Sequence, residues 1–263
     1  MKYVLVTGSY SGMGKAVVEK LLSQGYFVFG IDKFYTEPKN NYFPLTADVT
    51  DEDSLIDAFN KVKAITDELF AVLHFAGKYC LDSLVEISEI DFCRAFDVNV
   101  FGAYRVNKIF FPLLKNGSKV IITTSELAPL APLPFTGLYA ITKSTLDKYA
   151  YSLRMELQLL GVQVVVLRLG AVKTEMLGAS VRALDNFCDN TKIYTCNAKR
   201  FKKIVDRVES KNVPPTKIAK KTAKILEIKN PKYVYKINRN PLLLLLNCLP
   251  QRWQTWIIKR VLK

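Results

Sequence analysis

The chain holds 263 residues, 49% of them hydrophobic, with 38 Lys and Arg against 24 Asp and Glu for a formal charge of +14. That length builds one sizeable core and fits a single domain. The five cysteines (Cys80, Cys93, Cys188, Cys196, Cys248) are odd in number and never spaced as Cys-x-x-Cys, which argues against a disulfide framework or a zinc knuckle and predicts reduced, packed thiols and no metal site. The charge is local: residues 192–263 carry 19 basic against three acidic residues, net +16, while the remainder is net −2. Such a stretch is either a solvated surface or a face for an acidic partner. It lacks a helix-turn-helix, zinc-finger or RNA-binding signature, so nucleic acid is not the expected partner.

In chain order, a first buried strand is predicted at 3–6. It follows Met1 directly, leaves no room for the parts of a signal peptide and predicts a cytoplasmic chain. Thr7-Gly8-Ser9-Tyr10-Ser11-Gly12-Met13-Gly14 comes next. Glycines at 8, 12 and 14, between a strand and a helix, let backbone approach a pyrophosphate whose charge faces the helix amino terminus. Further strands are predicted at 27–31, 42–45, 71–75, 119–123 and 162–167, alternating with amphipathic helices at 15–24, 52–66, 90–114 and 142–160. This alternation predicts an α/β fold: a doubly wound, Rossmann-type parallel sheet covered by helices on both faces, three layers in one domain over 1–240.

The second strand ends at Asp32, eighteen residues beyond Gly14. A carboxylate there accepts hydrogen bonds from the adenine ribose and repels a 2′-phosphate, worth about 4 kcal/mol at ~4 Å and an effective dielectric near 20. That selects NAD, with NADP the weaker fit. Lys33 pulls the other way, while Ser11 before Gly12 adds no cation.

Tyr139 and Lys143 stand four apart, about one helical turn, so phenol and ammonium project from one face and can meet at one substrate atom. A fixed positive charge is expected to lower the phenol toward working pH, making a group that trades protons with an alcohol or carbonyl oxygen.

After Thr174 an insert at 175–213 is expected to cover the active site before a last strand at 232–237. Its Met176, Leu177, Val181, Leu184 and Phe187 either roof a greasy molecule or pack in the core. The tail, 241–263, is apolar and then basic-amphipathic. Its run of leucines at 242–246 is far short of the ~20 residues of a membrane span. Trp253, Trp256, Ile257 and Ile258 among Arg252, Lys259, Arg260 and Lys263 suit a peripheral membrane contact. A terminal helix packed on its own core or on a sister subunit accounts for the same pattern.

With these features in place, the chain resembles the short-chain dehydrogenase/reductase family from residue 2 to at least 174. The resemblance implies that Gly8, Ser11, Gly12, Met13 and Gly14 cradle the dinucleotide, that Asp48 and Val49 meet the adenine, and that Ala76 and Gly77 allow close cofactor approach. It implies that Val172 and Thr174 hold the nicotinamide carboxamide and that Asn99, Ser125, Tyr139 and Lys143 form the catalytic tetrad. In that scheme Tyr139 exchanges the proton, Ser125 binds the substrate oxygen, Lys143 holds the ribose and lowers the tyrosine, and Asn99 orders a water. Three positions depart from the family pattern. His74-Phe75-Ala76-Gly77 replaces Asn-Asn-Ala-Gly, Leu169 replaces a proline, and Ser125 lies fourteen residues before Tyr139, one more than usual. Pro129, Pro132 and Pro134 lie in that interval; unless the loop absorbs the residue, Thr124 or Glu126 takes the serine's place.

The insert and tail resemble the hydroxysteroid and retinol dehydrogenase-like branch, which implies a lipophilic alcohol or ketone of steroid, bile acid or retinoid type. A 3-oxoacyl carrier-protein reductase using NADPH would instead explain the basic carboxy-terminal third through an acidic protein substrate. A non-catalytic NAD(H)-sensing protein is the reading from another class. The resemblance further implies a homodimer or homotetramer built through helices 101–114 and 142–160.

Overall fold

The computed structural model describes residues 1–209 and 211–263, with the side chains of 175–177, 179, 180 and 207–209 set aside. Seven parallel strands run in the order β3-β2-β1-β4-β5-β6-β7: β1 Tyr3–Thr7, β2 Phe27–Asp32, β3 Tyr42–Thr46, β4 Leu69–His74, β5 Leu114–Ser125, β6 Gln163–Leu169 and β7 Val234–Ile237. The order reverses between β1 and β4, and in such sheets the crevice outside the carboxyl ends at that point takes the ligand.

The inner strands β1, β2, β4 and β6 are apolar on both faces because helices cover both. Along β1, Val4 and Val6 face one cluster with Val17, Val18 and Leu21 of α1 (Gly12–Leu22) and Ile218, Ala219 and Leu226 of α8 (Pro215–Glu227). Leu5 faces the other, with Leu55 and Val62 of α2 (Glu52–Lys63), Val106 and Phe110 of α4 (Gly102–Phe110), and Leu146 and Ala150 of α5 (Gly137–Leu157). Helix ends follow their local chemistry. Asp51 caps α2 by accepting the Asp53 N–H, with acids in the first turn and lysines in the last, as the helix dipole favours.

Three elements differ from the sequence expectation. The helix predicted over 90–114 is divided into α3 (Glu89–Phe96), a π turn (Asp97–Phe101), α4 and a 3₁₀ turn (Phe111–Leu113). The wide turn brings Gly102 against Val49, where a Cβ would lie 2.8 Å from the valine Cγ2, and Pro112 then ends the helical run. Second, α5 begins at Gly137 rather than 142, so Tyr139 lies in its first turn. Third, α8 was missed between the insert and the last strand. Its lysines hide a buried face of Ile218, Ala219, Thr222, Ala223, Ile225 and Leu226 at helical spacing, packed on α1.

The insert forms α6 (Glu175–Asn190) and α7 (Thr195–Glu209), and the tail forms α9 (Pro241–Cys248) and α10 (Gln251–Leu262). Leu184 and Phe187 of α6 pack with Phe135, Phe201 of α7 and Leu262 of α10, while Val181 is on the surface. Met176 and Leu177 have side chains outside those described. Among the described residues, no helix is long and apolar enough to cross a membrane.

His74 ends β4 fully enclosed, with Nε2 donating to Asn107 Oδ1 at 2.8 Å, and Asn107 Nδ2 donates in turn to the Tyr149 hydroxyl at 3.1 Å. The lone histidine thus ties β4 to α4 and α5, where the family pattern has an amide. Burial holds its pKa down at about 4. The unfolded imidazole takes a proton near 6.5 and the folded one only near 4, so stability is lost as pH falls through that window. Between pH 7 and pH 4 the urea-unfolding free energy of the native protein is expected to fall by up to about 3 kcal/mol more than that of His74→Gln. Equal slopes would refute the assignment.

Candidate active site

Two connected hollows open at the carboxyl ends of the strands. The larger, about 690 Å³, runs from the β1–α1 turn past Asp32, Asp48 and Val49 to Ala76 and Gly77. The smaller, about 240 Å³, is lined by Ser125, Tyr139, Lys143, Val172 and an apolar wall. Met13, Ala76, Gly77, Tyr79 and Thr174 line both, which places the junction between the glycine turn and the phenol.

The turn is shaped by glycine where backbones crowd. Gly8 has φ +70, and a Cβ on it would stand 2.7 Å from Ala76 N; a Cβ on Gly14 would meet Gly8 O at 1.9 Å. Ser11, extended at the cap position, makes no side-chain cap, so the start of α1, which lines the hollow, keeps amide donors without that partner. Asp32 accepts the Tyr10 N–H on one carboxylate oxygen at 3.0 Å and the Phe34 N–H on the other at 3.2 Å, so its carboxylate is fixed at the rim of the turn. Lys33 stands over the Phe34 ring, 5.2 Å from its centroid. Asp48 is held by Thr50, whose N–H and hydroxyl donate to Oδ1 at 2.9 and 2.8 Å. Thr174, at the amino end of α6, lies against Gly12, where a Cβ would come within 3.3 Å of the threonine Cβ. Val172 is buried and bridged to Val213.

At the far end, Tyr139 and Lys143 emerge from α5 on one face, the Lys143 ammonium 5.8 Å from the phenol ring centroid and donating to the Thr123 carbonyl at 3.2 Å. Ser125, the last residue of β5, lines the same hollow as the phenol and acts to lower its pKa. Thr124, one position back, points to the opposite face and donates to Asp147 at 3.2 Å, as strand alternation requires. The fourteen-residue spacing is therefore absorbed by the loop. Phe135 adopts φ 65 there, and its ring is held against Phe187, Tyr194 and Phe201 at 4.6–5.4 Å, packing that fixes an unfavourable conformation. Glu126 lines the smaller hollow but turns one oxygen to the Asn240 N–H at 2.6 Å.

Asn99 lies in the π turn. Its Oδ1 accepts the Lys78 N–H at 2.7 Å, while Nδ2 donates to Lys78 O at 2.9 Å and Thr142 Oγ1 at 3.1 Å. A Cβ on Gly77 would come within 3.2 Å of Asn99 Oδ1 and 3.5 Å of the Lys143 ammonium, so glycine keeps the floor open there. The structure therefore brings Asn99, Ser125, Tyr139 and Lys143 to one place.

The electrostatics depart from expectation. Burial, reinforced by Tyr79 and opposed by the Ser125 hydrogen bond, pushes the Tyr139 phenol up rather than down. Burial pulls the Lys143 ammonium down to about 8. Enclosure disfavours both charges and is the largest cause of each shift.

Sequence reasoning missed four contributors. Tyr79 packs on Tyr139 with ring centroids 4.8 Å apart. Asp147, one turn beyond Lys143, takes Arg168 on both oxygens at 2.9 and 2.6 Å and so ties α5 to β6. Phe201 of α7 and Leu243 of α9 wall the smaller hollow. The i, i+4 relation of Asp147 to Lys143 was visible in the sequence; the others come from distant segments.

The family model for the short chain dehydrogenase matches residues 2–185, and the chain belongs to that family. Members of that family are oxidoreductases that act on CH–OH groups and bind NAD or NADP. The chain is 33% identical over 192 residues to estradiol 17-beta-dehydrogenase 2 of Mus musculus, covering 68% of this chain and 50% of that one. It is 30% identical over 251 residues to the NADPH-dependent 3-dehydrocapnine reductase of Ornithobacterium rhinotracheale, covering 89% and 87%. The first curated relatives are matched over only 50–61% of their length. A short chain dehydrogenase family protein from Francisella tularensis superposes with a TM-score of 0.75 at 22% identity, over 90% of this chain and 97% of that one, which supports the fold.

The glycine turn and open floor fit a dinucleotide. Gly14→Ala is expected to weaken NADH binding at least tenfold in a fluorescence titration, because the new methyl must displace Gly8 O. Unaltered affinity would show that the turn does not face the cofactor.

Proposed function

We propose that the protein interconverts a secondary alcohol and a ketone on a lipophilic substrate of steroid, bile acid or retinoid type, using NAD(H). The carrying observation is that Ser125, Tyr139 and Lys143 line one apolar-walled hollow that meets the glycine-lined cleft at Met13, Ala76, Gly77, Tyr79 and Thr174. The dinucleotide, when bound, is the source or acceptor of the hydride, held by Gly8, Ser11, Gly12, Met13 and Gly14, with Asp32 at the adenine ribose, Asp48 and Val49 at the adenine, Ala76 and Gly77 beneath, and Val172 and Thr174 at the carboxamide.

In the reducing direction Tyr139 donates its phenolic proton to the carbonyl oxygen, and in the oxidising direction it takes that proton back. Burial keeps the phenol neutral before substrate arrives, the state a donor needs. Ser125 donates a hydrogen bond to the same substrate oxygen. Lys143, pulled down to about 8, holds the ribose and supports the phenolate by its charge below that pH. Asn99 has one Oδ1 lone pair beyond its bond to Lys78, which suits a water that refills the proton.

The Asp32 carboxylate, pinned by two backbone N–H groups, supports NAD over NADP. The exposed Phe101, Tyr104, Tyr151 and Met155 on and beside α4 and α5 support self-association through those helices.

Tyr139→Phe should lower kcat/KM by roughly 10²–10⁴ while leaving NADH affinity within about twofold, since only the proton path is removed. Retained turnover would refute the acid/base role. Asp32→Ala should shift the ratio of kcat/KM for NADH over NADPH toward NADPH by roughly tenfold or more, the effect of a single repelling charge. An unmoved ratio would reject the ribose assignment. A substrate panel of steroids, bile acids, retinoids and 3-oxoacyl thioesters, followed by NADH absorbance, tests the substrate class; turnover confined to the thioesters would replace it with the carrier-protein reading.

A further inference from the structure

The carboxy-terminal helices present a surface that the reaction does not use. On α9, Leu242 and Leu245 share one face at i and i+3 and are 67% and 65% exposed. On α10, Trp253 and Trp256 are 59% and 61% exposed, and these are the chain's only two tryptophans. Residues 228–263 contain eight Lys and Arg and no Asp or Glu. Four large apolar side chains left in water beside uncompensated positive charge are costly in a solvated tail, and the combination suits an interface where apolar rings enter the acyl boundary and cations meet anionic headgroups.

The two helices are also built onto the catalytic hollow rather than trailing from it. The Asn240 N–H, at the cap of α9, donates to Glu126 at 2.6 Å, and Asn247 accepts the Ala131 N–H at 2.7 Å. Gln254 donates to Leu249 O at 2.8 Å across the α9–α10 corner. Leu262 is buried in the cluster of α6 and α7, with its carbonyl accepting from Asn197 at 2.7 Å. Between the exposed leucines, Leu243 walls the hollow, and so does Ile204 of α7, itself 38% exposed. The apolar side of the hollow therefore reaches the surface at the foot of α9.

We infer that α9 and α10 dock the protein on an anionic lipid surface, setting the mouth of the hollow against the bilayer. Lipid-dissolved substrate then reaches Ser125 and Tyr139 without crossing water, a consequence that rests on the lipophilic-substrate reading, whereas docking itself rests on the tail alone.

The test uses the full chain and vesicles of phosphatidylcholine with or without phosphatidylserine. Tryptophan emission should move to shorter wavelength and the protein should sediment with the serine-containing vesicles at low salt, with binding weakened as ionic strength rises. A Leu242→Ser, Leu245→Ser, Trp253→Ser, Trp256→Ser variant with native far-UV circular dichroism should bind at least about tenfold more weakly. Arg252→Glu with Arg260→Glu should remove the preference for anionic vesicles, and both variants should keep wild-type turnover of a small water-soluble ketone. Three outcomes would overturn docking: no emission shift or sedimentation at low salt, binding unchanged in both variants, or a surface whose loss alters only oligomer size, which would identify a second copy of this chain as the occupant. Vesicle binding with no turnover of any lipophilic alcohol or ketone would support docking and count against the substrate reading alone.

Discussion

Lys143 carries its amine into the protein interior, 3.2 Å from the Thr123 carbonyl, and the cost of holding an ammonium there constrains what packs around it. The helix bearing it cannot shift without stranding the amine, and several bonds prevent that shift. Arg168 grips Asp147 on both oxygens, Thr124 joins the same carboxylate, and Tyr233 donates to the Asp147 carbonyl at 3.3 Å. Removing one partner of such an enclosed pair typically costs 3–5 kcal/mol. At the other end, Asn99 reaches Thr142, whose hydroxyl donates back to the Tyr139 carbonyl at 2.9 Å. The phenol and amine thus sit on a helix fixed from both sides before any ligand arrives, the preorganisation that proton transfer to a substrate oxygen needs.

Much of this was legible in the sequence because it depends on periodicity. Buried strands read as short apolar runs, and four of the seven begin within one residue of the prediction: β1, β2, β3 and β6. The glycine turn was legible because only glycine tolerates the approach of Ala76 to Gly8 and of Gly8 O to Gly14. The relation of Tyr139 to Lys143 needed only a helix. What failed needed tertiary information. A π turn leaves little trace in residue pattern, so 90–114 read as one helix. The buried face of α8 was masked by its lysines, which serve the solvent side of the same turns. The start of α5 lies close behind a proline-rich loop whose path is set by Phe135 entering a cluster that the chain completes only at Leu262.

The contest between Ser125, Thr124 and Glu126 shows why counting residues was not enough. A spacing fixes neither the face of a strand nor the path of a loop. At the end of β5 the Thr124 hydroxyl is taken by Asp147, while Ser125 lines the hollow beside Tyr139, which supports the serine in the proposed role. The charge environment was misjudged for a similar reason, since the sequence shows the neighbouring amine but not its enclosure. Desolvation acts on the phenol and amine alike and is the largest cause of the shift in each.

Glu126 joins the chemistry to the tail. A carboxylate next to Ser125 would oppose formation of a phenolate if it faced Tyr139, and burial raises its pKa. The Asn240 N–H and the charge of Arg239 act in the opposite sense and draw the carboxylate toward the start of α9. One contact thereby draws a negative charge toward the start of α9 and ties down the helix whose Leu243 lines the hollow. Leu243 and Ser125 are consequently spaced by a single short segment, 125–126 bonded to 240. That bond, with Leu243 in the wall, makes the carboxy-terminal helices part of the hollow's geometry.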